Sequence, residues 1–234
     1  MDIIDIHTHI LFGIDDGART AEQSVEMLKV ATENGTSTIF LTPHCTRADF
    51  NIQKAKESIE KLAKIAKEQF PQLSIYGGSE ILYTPSAIEG VLQGKIPTLA
   101  KSDYILLEFF PSVYYTELVS AVKHTVASGL IPVIAHAERY TCLYKKGLDE
   151  LIEYGAYIQI NANSVMGKNG LGAKLFCKKQ IKKGAVHFIA SDGHDTKKRS
   201  TNLSGCAKYI EKTFGQNTAL QLFSENPKRI INNN

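Results

Sequence analysis

The chain has 234 residues, 43% of them apolar and 22% charged, with a formal net charge of +3. This length suits one domain of α/β-barrel size or two small domains, and the small net charge argues against a nucleic-acid or membrane partner. The chain has no apolar run of about 18 residues, no basic segment followed by an apolar one at its start, and no Cys-x-x-Cys pair. We therefore expect a cytoplasmic protein with reduced thiols.

Short apolar runs alternate with amphipathic stretches along the sequence, without repeats, low-complexity tracts or Pro/Ser-rich linkers. We therefore treat residues 1–234 as a single domain. Apolar and β-branched runs predict strands at 3–6, 36–41, 73–76, 104–107, 131–135, 157–160 and 186–190. Helical periodicity predicts helices at 21–33, 52–69, 118–127, 148–154, 173–182, 203–213 and 218–223.

Helices between the strands favour a parallel sheet, because a parallel return to the sheet requires a crossover connection. Seven strands of this kind predict an α/β fold that closes, or nearly closes, as a (β/α)7 barrel of the TIM-like type. An open, doubly wound sheet is the alternative.

A metal ligand or hydrogen-bonding side chain follows the end of each predicted strand. In chain order these residues are His7, His9, His44, Glu80, Glu108, His136, Asn161, Asp192 and His194. In a (β/α) barrel the carboxyl ends of the strands converge on one face, where the active sites of this fold lie. The His-x-His pair places both imidazoles on one side of its strand, yet alone it also suits an ordinary polar strand end. The set as a whole predicts a metal site.

The ligand types restrict the metal. Imidazoles mixed with carboxylates suit Mn, Fe, Zn or Co, and the lack of cysteine among them argues against a structural zinc site. The candidates outnumber the ligands of one ion, so we expect two or three ions that share a bridging carboxylate. Such clusters hold attacking and leaving oxygens and generate hydroxide near neutral pH. Asp15 and Asp16, in the loop after the first strand, either add acidic ligands or cap the next helix.

Two arginines follow candidate ligands closely. Arg139 lies three residues after one candidate histidine, and Arg199 lies five residues after another. A guanidinium group is a permanently charged, planar fork that matches phosphate oxygens. A metal cavity bordered by arginine therefore suits a phosphate ester. The alternative is a surface ion pair of each arginine with a nearby acid, Glu138 or Asp195.

The dipeptide His44-Cys45 also occurs in the His-Cys-x5-Arg loop of cysteine-dependent phosphatases. The sixth residue after Cys45 is Asn51 rather than arginine, and no other cysteine in the chain has arginine at that position. We therefore do not expect a thiolate nucleophile.

Taken together, the motifs resemble the bacterial manganese-dependent protein tyrosine phosphatases of capsule and exopolysaccharide operons, within the polymerase-and-histidinol-phosphatase (PHP) superfamily. The resemblance covers nearly the whole chain. It runs through Asp5-Ile-His-Thr-His-Ile10, Asp15-Asp-Gly17, Thr42-Pro-His44, Gly78-Ser-Glu80, Leu107-Glu-Phe109, Pro132-Val-Ile-Ala-His-Ala-Glu-Arg-Tyr140, Gln159-Ile-Asn161, Ala190-Ser-Asp-Gly-His194 and Glu225-Asn-Pro-Lys-Arg-Ile230. The sequence differs from the usual pattern at Gly193 and in residues 42–47, which leaves the substrate preference open.

The resemblance implies a distorted (β/α)7 barrel, the PHP fold, with three metal ions. The implied ligands of the first ion are His7, His9, Glu80 and Asp192. Glu80 would bridge to a second ion, which is completed by Glu108 and His136. The implied ligands of the third ion are Asp16, His44 and His194. Arg139 would bind the phosphoryl group, and Arg199 would act near the leaving tyrosine oxygen. The implied substrates are phosphotyrosines on the C-terminal tail of a partner bacterial tyrosine kinase that controls polysaccharide assembly.

The leading hypothesis is thus a manganese-dependent phosphatase in which metal-generated hydroxide attacks the phosphorus of phosphotyrosine. The same cavity also suits a histidinol-phosphate-like alkyl phosphate or a nucleotide phosphodiester. Metal-dependent amidohydrolases open with His-x-His too, although the glutamates and arginines favour phosphate. A phosphopeptide-binding module without catalysis is a further alternative. Lys197 and Lys198 could hold an acidic tail, and Tyr114 and Tyr115 either line a peptide groove or pack in the outer layer.

Overall fold

The computed structural model describes residues 1–45 and 52–233, and each of its strand pairs is parallel. The strands are β1 (Ile3–Thr8), β2 (Thr36–Leu41), β3 (Ser74–Gly77), β4 (Glu80–Leu82), β5 (Tyr104–Glu108), β6 (Ile131–Ile134), β7 (Tyr157–Asn161) and β8 (Phe188–Ala190). The helices are α1 (Ala21–Glu33), α2 (Ile52–Gln69), α3 (Pro85–Leu92), α4 (Tyr115–Ala127), α5 (Thr141–Lys146), α6 (Asp149–Glu153), α7 (Ala162–Val165), α8 (Leu171–Lys182), α9 (Ser204–Phe214), α10 (Gln216–Leu220) and α11 (Asn226–Ile231).

The strands form two sheets, ordered β1-β2-β3 and β4-β5-β6-β7-β8. Backbone hydrogen bonds beyond the strand ends join these sheets on both sides. The N–H of Glu80 donates to the carbonyl of Pro43 at 3.1 Å, and the N–H of Asp192 donates to the carbonyl of His7 at 3.0 Å. The strands therefore follow one another in ring order, as in a distorted (β/α) barrel. This arrangement confirms the predicted fold class over the doubly wound alternative.

The interior of the ring is apolar up to the level of the polar strand ends. Leu106 of β5 and Ala190 of β8 belong to the interior cluster, which also includes Ile230 of α11. Glu108 lies two residues after Leu106, and Asp192 lies two residues after Ala190. Residues two apart in extended chain share a face, so the face of β5 that carries Leu106 into the core also carries Glu108. The chain turns at Asp192, which therefore reaches the same region from beyond β8.

Helix α1 shows why several predicted bounds agree with the structure. The side chain of Thr20 caps the helix by accepting a hydrogen bond from the N–H of Gln23 at 3.3 Å, and Glu22 lies in the first turn. Met27 and Leu28 are on the buried face. Capping and periodicity are local features, so both ends of this helix can be read from the sequence.

The structure differs from the prediction around the third strand. The predicted strand 73–76 is observed as β3, and a separate strand, β4, begins at Glu80. Because β3 pairs with β2 while β4 pairs with β5, two short strands share one position of the ring. The short helices α3 and α5 are also absent from the prediction. Helix α3 begins after Thr84, which caps it, and has Pro85 in its first turn. Because the helix has only eight residues, this signal is easy to miss in the sequence.

Candidate metal centre

Four buried side chains meet at the carboxyl ends of the strands. The Nε2 atoms of His7 and His9 lie 3.1 Å apart, and each lies 3.1 Å from Glu80 Oε2. Asp192 Oδ1 is 3.6 Å from His7 Nε2 and 3.4 Å from His9 Nε2. Two imidazole nitrogens and two carboxylate oxygens thus surround one small volume.

Glu80 connects this group to a second one. Its Oε1 atom is 2.7 Å from His136 Nε2, and its Oε2 atom is 3.2 Å from His44 Nδ1. His44 Nδ1 also lies 2.9 Å from Glu108 Oε1. The two oxygens of Glu80 therefore face different sets of nitrogens, which is the geometry of a carboxylate that can bridge two ions.

A third group involves the loop after β1. Asp16 Oδ1 lies 3.6 Å from His44 Nε2 and 3.7 Å from His194 Nε2. The rings of His9 and His194 lie close, with centroids 3.8 Å apart. The residues that the resemblance assigns to a third ion thus lie together, with His9 as an additional neighbour.

Asp15 orients the cluster rather than joining its donor groups. The N–H at Nδ1 of His9 donates to Asp15 Oδ2 at 2.7 Å, and the backbone N–H of His44 donates to the same oxygen at 3.1 Å. A hydrogen bond at Nδ1 leaves Nε2 of that imidazole available to a metal. Thr20 caps helix α1, so the alternative role of Asp15 and Asp16 as helix caps is not observed.

Unpaired atoms in the cluster test whether metal ions fit. Among the described residues, three buried atoms of the cluster have no hydrogen-bond partner, namely His44 Nδ1, Glu80 Oε2 and His194 Nε2. A buried polar atom left unpaired costs about 1–3 kcal/mol, so proteins seldom leave one without a partner. The possible ligand atoms form three sets within 4.8 Å, namely His9-Asp16-His44-His194, His7-His9-Glu80 and His44-Glu80-Glu108. These donors fit divalent ions that bind nitrogen and oxygen.

The electrostatics of the cluster keep its carboxylates ionised. Burial opposes ionisation of Asp192, yet its pKa lies well below the usual range because His7 and Arg139 supply nearby positive charge. Burial also opposes ionisation of Glu80, yet its pKa is well below normal, because the charge of His7 and the hydrogen bond from His136 outweigh burial. Burial lowers the pKa of His194, which keeps its imidazole neutral. Burial lowers the pKa of His7, but Glu80 and Asp192 outweigh burial and raise it, so without an ion this imidazole holds a proton more readily than usual. Ionised carboxylates and neutral imidazoles are the forms that bind metals, so a metal that binds here displaces that proton.

Arg139 and Arg199 both bind Asp192. Arg139 Nη2 contacts Asp192 Oδ2, and Arg199 Nη2 lies 2.9 Å from Asp192 Oδ1. Each arginine side chain is 38% exposed. With Asp192 they line a cavity of 610 Å³, which we call the arginine cavity. One carboxylate therefore connects the histidine cluster to an open cavity that two arginines line.

The acids beside the two arginines are engaged elsewhere. Glu138 is buried and accepts hydrogen bonds from the N–H of Asn161 at 3.2 Å and from Ser164 Oγ at 2.6 Å. Asp195 Oδ1 accepts hydrogen bonds from the N–H groups of Lys197 and Lys198 at 2.6 and 2.7 Å. The alternative in which these acids pair with the arginine side chains is therefore not observed. Both carboxylates instead stabilise the loops that carry the arginines.

Gln159 is part of the site although the strand-end pattern does not identify it. Its Oε1 accepts a hydrogen bond from the N–H of His136 at 2.8 Å and lies 3.2 Å from His7 Nδ1. Its Nε2 donates to Asn161 Oδ1 at 2.8 Å, and Asn161 Nδ2 donates to Asp192 Oδ2 at 2.7 Å. The sequence signal is a second polar residue two positions before Asn161, on the same strand face.

Cys45 lies beside the cluster as a buried thiol. Its Sγ faces the carbonyl of Glu80 at 3.8 Å, and burial raises its pKa to about 12. A thiol with such a pKa is protonated near neutrality and is a poor nucleophile. This agrees with the expectation that the chain does not use thiolate chemistry.

Gly193, one of the two differences from the family pattern, lies in a tightly packed position. A Cβ atom there would lie 2.6 Å from Thr201 Cγ2, and the carbonyl of Gly193 accepts a hydrogen bond from the N–H of His9 at 2.9 Å. The small residue therefore allows the backbone to approach both neighbours. The other difference includes Arg47, and residues 46–51 lie outside the described residues.

Tyr114 and Tyr115, which the sequence predicts either to line a groove or to pack in the outer layer, lie in different surroundings. Tyr114 is 73% exposed and lines a 380 Å³ groove with Phe110 and Val113. Tyr115 lies in the outer layer, where its hydroxyl donates to Glu150 Oε2 at 2.8 Å.

The fold and the site define a TIM-barrel-like α/β protein with a candidate multinuclear metal centre at the carboxyl ends of its strands. The chain belongs to the CpsB/CapC family of capsular polysaccharide synthesis, whose model matches residues 3–232. This membership confirms the family that the sequence motifs indicate. Within the part of the chain that the structure describes, no helix combines the length and apolarity needed to cross a membrane.

Comparisons with individual proteins agree with this family. The chain is 36% identical over 238 residues to the tyrosine-protein phosphatase CpsB of Streptococcus pneumoniae, covering 98% of each chain. It also superposes, with a TM-score of 0.91, on one of the crystal structures of YwqE from Bacillus subtilis and CpsB from S. pneumoniae. Those two proteins are metal-dependent tyrosine phosphatases. The identity is 30%, and the match covers 99% of this chain and 95% of the other. Histidinol phosphate phosphatase of Lactococcus lactis shares the fold, with a TM-score of 0.61 at 16% identity, over 92% of this chain and 94% of that one.

Proposed function

We propose that this chain is a metal-dependent protein tyrosine phosphatase and that residues 1–234 form one catalytic unit. The observation that carries the proposal is the continuity between the imidazole–carboxylate cluster and the arginine cavity, through Asp192. The 36% identical relative is a tyrosine-protein phosphatase, and the proteins of the 30% identical structure are metal-dependent tyrosine phosphatases. Both relationships support the same activity for this chain.

The proposed metal ligands form three groups, and Glu80 belongs to the first two of them. The first group is His7, His9, Glu80 and Asp192, and the second is Glu80, Glu108 and His136. The third group is Asp16, His44 and His194. The 2.7 Å and 3.1 Å contacts of the two Glu80 oxygens with different histidines support its bridging role. We propose two or three manganese ions, and the donor set also suits Fe, Zn or Co.

The two arginines bind the phosphate group of the substrate in this proposal. When bound, the metal ions would neutralise phosphate charge and make water a nucleophile near neutral pH. Each guanidinium group uses Nη2 on Asp192, so its remaining N–H groups can bind phosphate oxygens in the arginine cavity. Gln159 and Asn161 hold Asp192 in place through the hydrogen bonds described above. Arg139 thus binds the phosphoryl group, while Arg199 stabilises charge near the leaving oxygen.

The chemistry of the leaving group favours an aryl phosphate over an alkyl phosphate as the substrate. Tyrosine has a pKa of about 10, so its phenolate needs less protonation than an alkoxide does when the P–O bond breaks. A permanently charged guanidinium group can stabilise the phenolate without transferring a proton. We therefore propose phosphotyrosine, on the C-terminal tail of a bacterial tyrosine kinase in the cytoplasm, as the substrate. The family description, capsular polysaccharide synthesis, agrees with the setting that the motif resemblance implies for this partner.

Hydrolysis assays after metal removal test the proposal. Chelated protein should hydrolyse neither p-nitrophenyl phosphate nor a tyrosine phosphopeptide, and added Mn²⁺ should restore both activities. Glu80→Gln should lower the restored kcat/KM by about 10³-fold or more, because it removes the proposed bridging ligand. Full activity in chelator, with metal analysis showing an empty site, would refute metal dependence.

The same assay separates the alternatives. Faster turnover of histidinol phosphate or of a bis-nitrophenyl phosphodiester than of the phosphopeptide would assign a different phosphate substrate. Hydrolysis of a cyclic amide but of no phosphate ester would indicate an amidohydrolase. Metal-loaded protein that binds the phosphopeptide without releasing phosphate would indicate a binding module.

A further inference from the structure

A second pocket adjoins the arginine cavity. It has a volume of 360 Å³, and apolar residues such as Val30 and Met166 form part of its lining. The polar and basic part of the lining comprises Asn163, Lys168, Thr196, Lys197, Ser200 and Asn202. We call it the lysine pocket. Asn163 lines both this pocket and the arginine cavity. A ligand that occupies the arginine cavity can therefore extend over Asn163 into the lysine pocket.

Asn163 also connects the two loops that carry the lysines. Its carbonyl accepts a hydrogen bond from the N–H of Lys168 at 2.9 Å, and its Nδ2 donates to the carbonyl of Lys198 at 3.2 Å. On the far side of the second loop, Asp195 Oδ1 binds the N–H of Lys197 at 2.6 Å. Backbone contacts thus position both loops, so the lysine ammonium groups are not needed to hold them.

In the part of the chain that the structure describes, the ammonium groups of the lysine pocket are not held in ion pairs, although the Asp195 carboxylate binds the backbone of the loop that carries Lys197. Lys168 and Lys197 are exposed, and among the described residues no carboxylate forms an ion pair with either of them. By contrast, Lys183 pairs with Asp149 at 3.3 Å. The described lining of the pocket contains no aspartate or glutamate. Two unpaired cations beside the arginines create a positive potential that attracts a second anionic group.

We infer that the lysine pocket binds a carboxylate side chain of the peptide whose phosphotyrosine occupies the arginine cavity. The inference rests on the proposed phosphatase function and specifies its substrate class, phosphotyrosine with acidic residues nearby. An extended peptide advances about 3.3 Å per residue, so a residue a few positions from the phosphotyrosine reaches across Asn163. Lysines recognise charge with little geometric demand, and either aspartate or glutamate satisfies them.

Matched phosphopeptides test the inference. One peptide carries glutamate at the three positions on either side of phosphotyrosine, and the other carries glutamine at the same positions. Manganese-loaded wild-type protein should prefer the glutamate peptide by roughly three- to tenfold in kcat/KM, the effect expected of one or two exposed charge pairs. The preference should appear in KM and should decrease as ionic strength rises.

Substitution of the lysines identifies the pocket as the cause. In K168Q/K197Q the ratio of kcat/KM between the two peptides should fall towards one. In the control K179Q/K212Q, which removes two exposed lysines outside the pocket lining, the ratio should equal that of wild type. Each ratio compares two substrates of one variant, so a change in folding or total turnover cancels. An equal rate on both peptides in wild type, or an unchanged ratio in K168Q/K197Q, would overturn the inference.

A binding assay separates this inference from the phosphatase proposal. The same two peptides, with a non-hydrolysable phosphonate in place of the phosphate ester, are titrated against wild type and K168Q/K197Q. Tighter binding of the glutamate peptide to wild type alone supports the lysine pocket, even if no substrate is hydrolysed. Equal affinities overturn it, even if phosphotyrosine is hydrolysed.

Discussion

Asp192 lies between the histidine cluster and the two arginines. It contacts histidines on one side and two arginines on the other, and it has a left-handed φ of +51°. His136 has a left-handed φ of +33° as well. Non-glycine residues rarely adopt such values, and they do so mainly where surrounding contacts enforce them. In both cases the chain turns directly after a strand, which directs the side chain into the cluster.

The two arginines differ in their expected contribution to turnover. Arg139→Ala should reduce kcat/KM for p-nitrophenyl phosphate by about 10²–10³-fold, because a charged donor to the phosphoryl oxygens is lost. Arg199→Ala should cost roughly tenfold, less than Glu80→Gln, since a phenolate leaves with little assistance. The measurement is steady-state kinetics at saturating Mn²⁺, with Arg229→Ala on helix α11 as the control. A larger loss in Arg199→Ala than in Glu80→Gln would contradict these roles.

His187 makes stability depend on pH. Burial and the nearby charge of Arg229 lower its pKa to about 4, whereas an unfolded histidine titrates near 6.5. Because its folded-state pKa is depressed, its contribution is complete above pH 6.5 and is lost as the pH falls towards 4. The loss between pH 7 and pH 5 should be about 1–2 kcal/mol.

The variant His187→Asn tests this contribution by urea unfolding at both pH values. The asparagine oxygen can still accept the hydrogen bond that the N–H of Ile158 donates to His187 Nδ1 at 3.0 Å, but asparagine does not titrate. The free energy of unfolding should therefore fall less with acidification in the variant than in wild type. An identical fall in both proteins would exclude His187 as a cause.

At the scale of elements, the loop between β1 and α1 determines whether the acids reach the histidines. A Cβ atom on Gly17 would lie 2.0 Å from the carbonyl oxygen of His9, to which the N–H of Ala18 donates at 3.0 Å. The loop therefore lies directly against β1, and this contact brings Asp15 and Asp16 to the cluster. Only glycine allows the backbone to come so near.

We predict that Gly17→Ala displaces this loop. The free energy of unfolding should fall by about 1–3 kcal/mol, as for other overpacked positions, and Mn²⁺ affinity should fall because Asp16 moves. Gly77→Ala is the control, since nothing lies within 4 Å of a Cβ atom there. Urea unfolding and metal titration measure the two effects. Wild-type affinity for Mn²⁺ in Gly17→Ala would show that the loop contact does not matter for the metal centre.

The short strands β3 and β4 also matter for the site. Glu80 begins β4, and its carbonyl accepts a hydrogen bond from the N–H of Cys45 at 3.3 Å. This contact places Glu80 beside the end of β2 and beside β5 at once. The one strand that the sequence predicts here, at 73–76, would not account for this double contact.

For the molecule as a whole, the proposed ions connect two sheets. His7 lies in β1 of the three-stranded sheet, and His9 and His44 follow strands of that sheet. Glu80 and Glu108 belong to the five-stranded sheet. Ligands that bind only the folded chain stabilise it, by about 2.7 kcal/mol at a concentration 100 times the dissociation constant. At that concentration Mn²⁺ should raise the Tm of chelated protein by roughly 5–10 °C.

Thermal unfolding at graded Mn²⁺ concentrations measures this effect. Glu80→Gln should reduce the shift, because the proposed bridge between the sheets is weakened. A Tm that does not change between chelator and excess Mn²⁺ would argue against ions that connect the two sheets.

Some features of this fold follow from local spacing along the chain, whereas others depend on contacts between distant segments. The strand faces, the bounds of α1 and the polar residue after each strand follow from spacing within a few residues, so they can be read from the chain. The predicted ligands lie together for the same reason, since parallel strands bring their carboxyl ends to one face. The separate strand β4 and the orienting role of Gln159 depend on contacts between distant segments, which spacing does not encode.

The chain alone therefore indicates which chemistry is available: imidazoles, carboxylates and guanidinium groups at the ends of strands. Only the folded ring decides how these groups are shared. Asp192 meets both arginines, Glu80 faces two sets of histidines, and Asn163 separates the arginine cavity from the lysine pocket. The reason is geometric: residue types and their period are properties of short segments, whereas distances between segments far apart in sequence arise only when the two sheets join.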